Sequence, residues 1–437
     1  MSKKTVELAV FYYAAALVAY MPVHIFLSQW LSTYTGGLEV WKAAKDVVLV
    51  LSVFPLLYIA YRQGSFKDKF FKRLIGLGVI YVTLYALFLL FDKNADTKSA
   101  IIGSVYNTRL LGCFLLGWAV AKSENGKVYT KKLLQLALIM CGVVASFGVV
   151  QYFLPKDFLT HFGYSVARGV KPIFYIDDKP DFPRVMSTLR DPNSLGAFLA
   201  LPITYSFLFL FVKKGKQTHK VFSDRWLKIL LAVSVICLVF TFSRSGLVTV
   251  FASLAALLVV SIKNKKEVIK KYAPLAVITL VISALLLFVS RNTYTVQNLI
   301  MHADKSTVQE DPNELRLSLG KKVAEHIKNF PFGEGPGTAG LVSINNPKGT
   351  QLTENYYLQI AYEVGLLGLA IFLAIYGLIL FRLYKNGTQT TAVLFSTGLG
   401  ILVFGLLNHS WSNEALALQW WILAGVYSVK RQDKYPN

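Results

Sequence analysis

The sequence predicts an all-α, polytopic integral membrane protein with about 12 transmembrane helices and with N- and C-termini in the cytoplasm. Three observations carry that expectation. Of 437 residues, 54% are hydrophobic and only 16% are charged, against about 25% in a soluble domain. The apolar residues fall into twelve runs near the roughly 20 residues that a spanning helix needs. The charge is lopsided: 46 Lys and Arg face 24 Asp and Glu, a formal +22. In an apolar chain this balance reads as membrane topology, because Lys and Arg gather in cytoplasmic loops. It does not point to nucleic acid.

The runs are 8–30, 46–61, 74–91, 99–121, 132–154, 194–212, 226–243, 245–262, 272–290, 356–381, 391–408 and 415–429. The second and the last are short and reach full length only by beginning earlier. The first is too long for a cleaved signal peptide, and no small-residue cleavage site follows it. With the N-terminus inside, segments 1–7, 62–73, 122–132, 213–225, 263–271, 382–390 and 430–437 face the cytoplasm. They hold 26 of the 46 Lys and Arg residues, and each is short and basic. Segments 155–193 and 291–355 become two large outer loops on a single integral membrane domain, 1–437. The inner loops are too short for a nucleotide-binding domain and carry no Walker or dinucleotide sequence. Chemistry therefore belongs to the outer face. No internal repeat or low-complexity segment is visible.

Within the second outer loop, residues 312–330 predict a surface helix. Asp311 caps it, Pro312 suits its first turn, and Glu314 completes a capping-box spacing. Leu315, Leu319, Val323 and Ile327 form one apolar stripe, which suits a helix lying on the membrane. The Gly-rich run Phe332-Gly333-Glu334-Gly335-Pro336-Gly337 follows.

Metal and thiol chemistry find little support. Cys113, Cys141 and Cys237 each sit in an apolar run and read as packing residues. The six histidines, His24, His161, His219, His302, His326 and His409, form no HExxH and no close pair, so neither a metal nor a cofactor is expected.

Arginines stand out instead. Arg184 and Arg190 flank Val185-Met186-Ser187-Thr188-Leu189, just before the sixth run. Arg244 sits in Thr241-Phe242-Ser243-Arg244-Ser245-Gly246, between two runs with almost no loop. Arg316 begins the surface helix. All four are placed at the outer face, where topology does not favour positive charge. Guanidinium groups match phosphate oxygens with paired donors and stay charged. The plainer reading is that they contact lipid headgroups or pair with Asp181, Asp191 and Glu314. Arg109, inside the fourth run, needs a partner or a polar cavity. Glu354 lies where the outer loop enters the tenth run and Glu363 lies well inside it. Either suits a proton acceptor or an arginine's counter-ion, and for Glu363 the structural role is the stronger reading.

Four stretches together resemble the O-antigen ligase / O-antigen polymerase (Wzy-C type) superfamily. They are Ser187-Thr188 with Asp191-Pro192-Asn193-Ser194-Leu195-Gly196; Thr241 to Gly246, similar to the family's Ser-Arg-Ser-Gly hallmark; Arg316 with Asn329-Phe330-Pro331-Phe332-Gly333-Glu334-Gly335-Pro336-Gly337; and Glu354-Asn355-Tyr356-Tyr357-Leu358-Gln359 with Glu363-Val364-Gly365-Leu366-Leu367-Gly368. Each is short, their order is what matches, and they cover about 184–370. The resemblance implies a GT-C-like, metal-independent glycosyltransferase of the cytoplasmic membrane. Such an enzyme moves a glycan from a polyprenyl diphosphate to a hydroxyl on the outer side of the bilayer, in company with polysaccharide-assembly proteins. It implies that Arg184 or Arg190, Arg244 and Arg316 hold the diphosphate, with Asn193 and Asn355 as supporting residues. Ligases of the family carry a histidine where this chain has Glu354. That departure favours a polymerase of capsule, exopolysaccharide or O-antigen type and leaves Glu354 as a candidate base. The alternatives are a ligase to a lipid or protein acceptor and a polysaccharide transporter.

Overall fold

A computed structural model of the chain describes residues 2–91, 96–176, 179–212, 220–261, 312–347 and 353–430. Fourteen α-helices lie among the described residues: α1 (Lys3–Tyr20), α2 (His24–Thr35), α3 (Leu38–Arg62), α4 (Lys69–Phe91), α5 (Thr97–Ala121), α6 (Gly126–Phe153), α7 (Pro192–Phe198), α8 (Ala200–Phe207), α9 (Asp224–Phe240), α10 (Arg244–Ser261), α11 (Pro312–Asn329), α12 (Tyr356–Asn386), α13 (Gln389–Gly405) and α14 (Glu414–Ser428). Eight helical stretches among them are long and apolar enough to cross a membrane. The chain is thus a mostly helical, multi-pass membrane protein. The expected span 272–290 lies outside the described residues, as do segment 263–271 and residues 291–311.

The helices depart from the apolar runs where proline intervenes. The first run breaks at a 3₁₀ turn, Met21–Val23, which contains Pro22. The sixth breaks between α7 and α8, because Pro202 has no N–H for the Phe198 carbonyl one turn back. The second begins earlier than its run, at Leu38, and carries Pro55 inside it. Helices α9, α13 and α14 have only 17, 17 and 15 residues.

One apolar core runs from α1 to α14. Small residues let backbones touch within it, as they do between helices in lipid. Gly117 of α5 faces the Ile422 carbonyl and Gly425 of α14 faces the Phe114 carbonyl, where a Cβ would collide. Gly400 of α13 abuts Thr249 and Ser253 of α10 in the same way.

Segments expected on one side of the membrane meet at one end of this bundle. Lys3 bonds Glu124 at 2.7 Å, and Arg382 joins Asp68 at 2.5 Å and the Ser428 carbonyl at 2.7 Å. At the other end, Thr188 donates to the Pro22 carbonyl at 2.6 Å, and Arg168 donates to Gln29 and Ser32 of α2. The 155–193 segment is compact there. It buries Leu159, Tyr164, Val170 and Met186 together. It also contains a hairpin absent from the all-α expectation, β1 (Phe174–Ile176) against β2 (Lys179–Arg184), in which Phe174 pairs with Arg184. The strand carries Arg184 to the bundle.

Helix α11 ends at Asn329, as the proline at 331 requires. Its stripe faces protein rather than lipid alone: Val323 and Ile327 are buried against Ala361, Leu358 and Tyr362 of α12. His326 stacks on Tyr362 at 4.8 Å and meets Glu334 at 2.8 Å.

Candidate active site

Three of the four resembling stretches contain a non-glycine residue with positive φ: Ser187 at 54°, Phe242 at 47° and Glu354 at 42°. Each such residue costs about 1–3 kcal/mol unless its surroundings hold it. Ser187 is held firmly. Its amide and that of Met186 donate to Gln151 Oε1 at 2.7 and 3.1 Å, and its hydroxyl donates to the Val144 carbonyl at 2.7 Å. The chain thereby turns sharply before α7. Asp191 then caps α7, accepting from the Ser194 amide at 2.8 Å and from its hydroxyl at 2.6 Å.

Asn193 joins the first two stretches. Its Oδ1 accepts from Arg184 and from the Ser243 hydroxyl, both at 2.9 Å. Arg184 also donates to the Thr241 carbonyl at 2.9 Å. Beneath them α7 and α10 approach so closely that a Cβ on Gly196 would sit 2.9 Å from the Gly246 Cα. The guanidinium of Arg184 is therefore engaged in fastening β2 to these helix starts. Arg190 is half-buried and Arg244 exposed. Among the described residues neither makes an ion pair or a side-chain hydrogen bond. Arg316 lies on α11, and its side chain lies outside the described residues.

The last two stretches are joined by their backbones. Helix α12 is broken at Val364 (φ −126°, ψ 20°) and Gly365 (φ 73°, ψ 178°). A break in an apolar setting strands polar groups, and the Gly-rich run satisfies them. Glu334 N donates to the Tyr362 carbonyl at 2.8 Å, Gly335 N donates to the Glu363 carbonyl at 2.9 Å, and Leu366 N donates to the Pro331 carbonyl at 2.9 Å. Gly333 and Gly365 are in contact, and a Cβ on Gly333 would lie 2.6 Å from Gly365 N. Here glycine is needed for both the close approach and the positive φ.

The fully buried Glu363 takes its partners from this junction. Its carboxyl group accepts from Asn107 Nδ2 at 2.7 Å and from Gly337 N at 3.0 Å, and Gln359 and the Ala339 amide lie close beside it. Tyr356 donates to Asn107 Oδ1 at 2.9 Å. Among the described residues no arginine or lysine pairs with Glu363, and amide groups hold it. Glu354 is half-buried and precedes Asn355, which caps α12 by accepting from Tyr357 N at 2.9 Å and Leu358 N at 3.1 Å.

Gln359 links this junction to the first stretch. Its Oε1 lies 3.0 Å from His409 Nδ1, in the loop between α13 and α14. Burial pushes the His409 imidazole down to about 4, Arg190 adds to the shift, and Asp191 opposes it. The ring is neutral near pH 7 and stands in the field of Arg190. Arg109, by contrast, is enclosed. It meets Asp46 at 2.8 Å, Glu414 at 3.7 Å and the Ser412 carbonyl at 3.4 Å. Lys45 completes the group, 3.0 Å from Asp46 and 3.7 Å from Glu414. Two cations and two carboxylates balance.

Residues 229–373 match the family model Wzy_C, described as O-antigen ligase. The chain carries a Wzy_C domain. No curated protein matches the chain. The matched stretch runs from α9 to the middle of α12, so the Wzy_C domain contains Arg244, Arg316, the Gly-rich run, Glu354 and Glu363. Arg184 and Arg190 lie before it and His409 after it. The Wzy_C match supports glycan transfer of the O-antigen ligase type in a membrane. Asn107, Gln359 and His409 were not singled out from the sequence. Only Gln359 had a visible signal, since it closes the Glu354–Gln359 stretch. Asn107 and His409 are 256 and 50 residues from their partners. Among the described residues no group of three His, Cys, Asp or Glu side chains is placed to hold a metal ion.

Proposed function

We propose that the protein is a glycan polymerase of the cytoplasmic membrane. It transfers polyprenyl-diphosphate-linked oligosaccharide repeats to a growing chain on the outer face, as in capsule, exopolysaccharide or O-antigen synthesis. The observation that carries this reading is the pair Arg190 and Arg244. Among the described residues neither guanidinium group has an ion pair or a side-chain hydrogen bond, and the Asn193–Ser243 bond draws their segments together. Paired donors of fixed charge suit a diphosphate. The donor is activated by its phosphate link, so the enzyme has to stabilise the leaving diphosphate and orient one hydroxyl. Arg184 orients Asn193, and Arg316 is a further candidate for the diphosphate. The bilayer holds the lipid carrier, and polysaccharide-assembly proteins are the expected partners.

Purified protein in detergent, given lipid-linked repeats extracted from the source cells, should lengthen them on their carrier into a ladder. Arg244→Ala should abolish the ladder at an unchanged protein level. A full ladder from this variant would remove Arg244 from the site. The Wzy_C description favours a second reading, transfer of a finished glycan to a lipid or protein acceptor. Product found only on such an acceptor would establish the ligase and reject the polymerase.

A further inference from the structure

We infer that His409 takes the proton of the acceptor hydroxyl, and that Glu363 acting through Gln359 holds it in the tautomer that can do so. The inference rests on the glycosyl-transfer reading above and names the base for that reaction.

Presentation of the ring is fixed by the backbone. His409 is the apex of an inverse γ-turn (φ −78°, ψ 66°), and Ser410 N donates to the Asn408 carbonyl at 2.9 Å. Trp411 anchors this turn. It is wholly buried, with ring centroids 5.1 Å from Tyr376, 5.7 Å from Trp420 and 5.9 Å from Trp421.

The tautomer follows from donor and acceptor roles. Asn107 and Gly337 both donate to the Glu363 carboxylate, which therefore acts as acceptor. Gln359 interacts with both this carboxyl group and His409, and an amide oxygen can only accept. Its carbonyl oxygen is then the atom facing His409, 3.0 Å from Nδ1. Nδ1 must carry the hydrogen, and Nε2 keeps the lone pair. A second group thus sets which nitrogen is basic. Among the described residues nothing bonds Nε2. The charged groups facing the ring are Arg190 and Asp191, from the turn before α7.

The reaction balances with this assignment. The acceptor oxygen bonds to the anomeric carbon, and the bond from that carbon to the phosphate oxygen breaks. Its electron pair leaves on the diphosphate, and the hydroxyl proton passes to His409 Nε2. Asp191 and the Gln359 relay steady the imidazolium, which then releases the proton to solvent. Without donor, burial and Arg190 keep the ring a weak base. A diphosphate on Arg190 cancels that positive field, so donor binding itself raises the basicity of His409.

The test uses wild type, His409→Gln and His409→Ala, with lipid-linked glycan extracted from the source cells. His409→Gln keeps a partner for Gln359 but lacks a base. It should fold, keep the donor KM within about threefold and lose about 10²- to 10⁴-fold in kcat. Added imidazole should restore part of the turnover of His409→Ala. In wild type the acid limb of kcat/KM, which reports the free enzyme, should fall near 4, and that of kcat should lie at higher pH. Wild-type turnover in folded His409→Gln, or coincident acid limbs, would overturn the assignment while leaving the transfer reading intact. No transfer by wild type to any acceptor would overturn that reading and this one with it.

Discussion

Arg109 and Arg244 are both guanidinium groups set in apolar helices, and the protein treats them in opposite ways. Arg109 is closed in by Asp46, Glu414 and Lys45, and it lies 4.2 Å from the Tyr106 ring centroid. All of its charge is balanced inside the bundle. Arg244 begins α10 exposed, with no ion pair among the described residues, although the Ser243 hydroxyl beside it and the Asn193 side-chain oxygen opposite are engaged. Burying a cation is costly and demands partners. Leaving a cation unpartnered inside an otherwise satisfied junction is consistent with a ligand that supplies the missing anion. The contrast separates a cation that stabilises the fold from one available to a substrate.

Exchanging the two roles gives the largest expected effect. Arg109→Ala leaves two carboxylates facing Lys45 alone and should cost roughly 3–5 kcal/mol, seen as a large fall in thermal midpoint in detergent. Arg244→Ala should leave that midpoint within about 0.5 kcal/mol of wild type while removing transfer. If both variants lose stability equally, the contrast fails.

Next comes the Glu363 junction. Asn107→Leu removes one donor from a buried carboxylate and one acceptor from Tyr356. It should destabilise by about 1–3 kcal/mol, and a wild-type unfolding midpoint would mean that Glu363 has other support. The smallest effect is expected at the strained turn. Phe242→Gly should relieve the positive φ and leave stability within about 1 kcal/mol of wild type in either direction. A loss well beyond that would show the Phe242 ring to be a packing anchor.

These regions differ also in how much the sequence reveals. Apolar runs placed most helices, because lipid demands long uninterrupted stretches. Even the short second run showed that it needed an earlier start, which α3 has at Leu38. The breaks at Pro22 and Pro202 were legible in principle from proline chemistry. The arginine-bearing stretches could be singled out because topology does not favour positive charge on the expected outer side. The partners were not. Asn107 holds Glu363 across 256 residues, and Asp46 meets Arg109 across 63. Such pairs are made only when helices pack, and nothing local marks them. Arg184 and Arg190 look alike in sequence, yet only the fold shows that Asn193 and Thr241 occupy the first. His409 carried no motif at all, because its position depends on a turn anchored by Trp411.

The central claim is that Arg190 and Arg244, which have no ion pair among the described residues, seat a diphosphate. Titration of farnesyl diphosphate into wild type, Arg190→Gln, Arg244→Gln and Arg184→Gln, followed by calorimetry, tests it most directly. Loss of a charge-assisted hydrogen bond is worth about 1.5–3 kcal/mol, so Arg190→Gln and Arg244→Gln should each bind roughly ten- to a hundredfold more weakly. Arg184→Gln should weaken binding less, through Asn193. Equal affinity for wild type and both Arg190→Gln and Arg244→Gln would contradict the account.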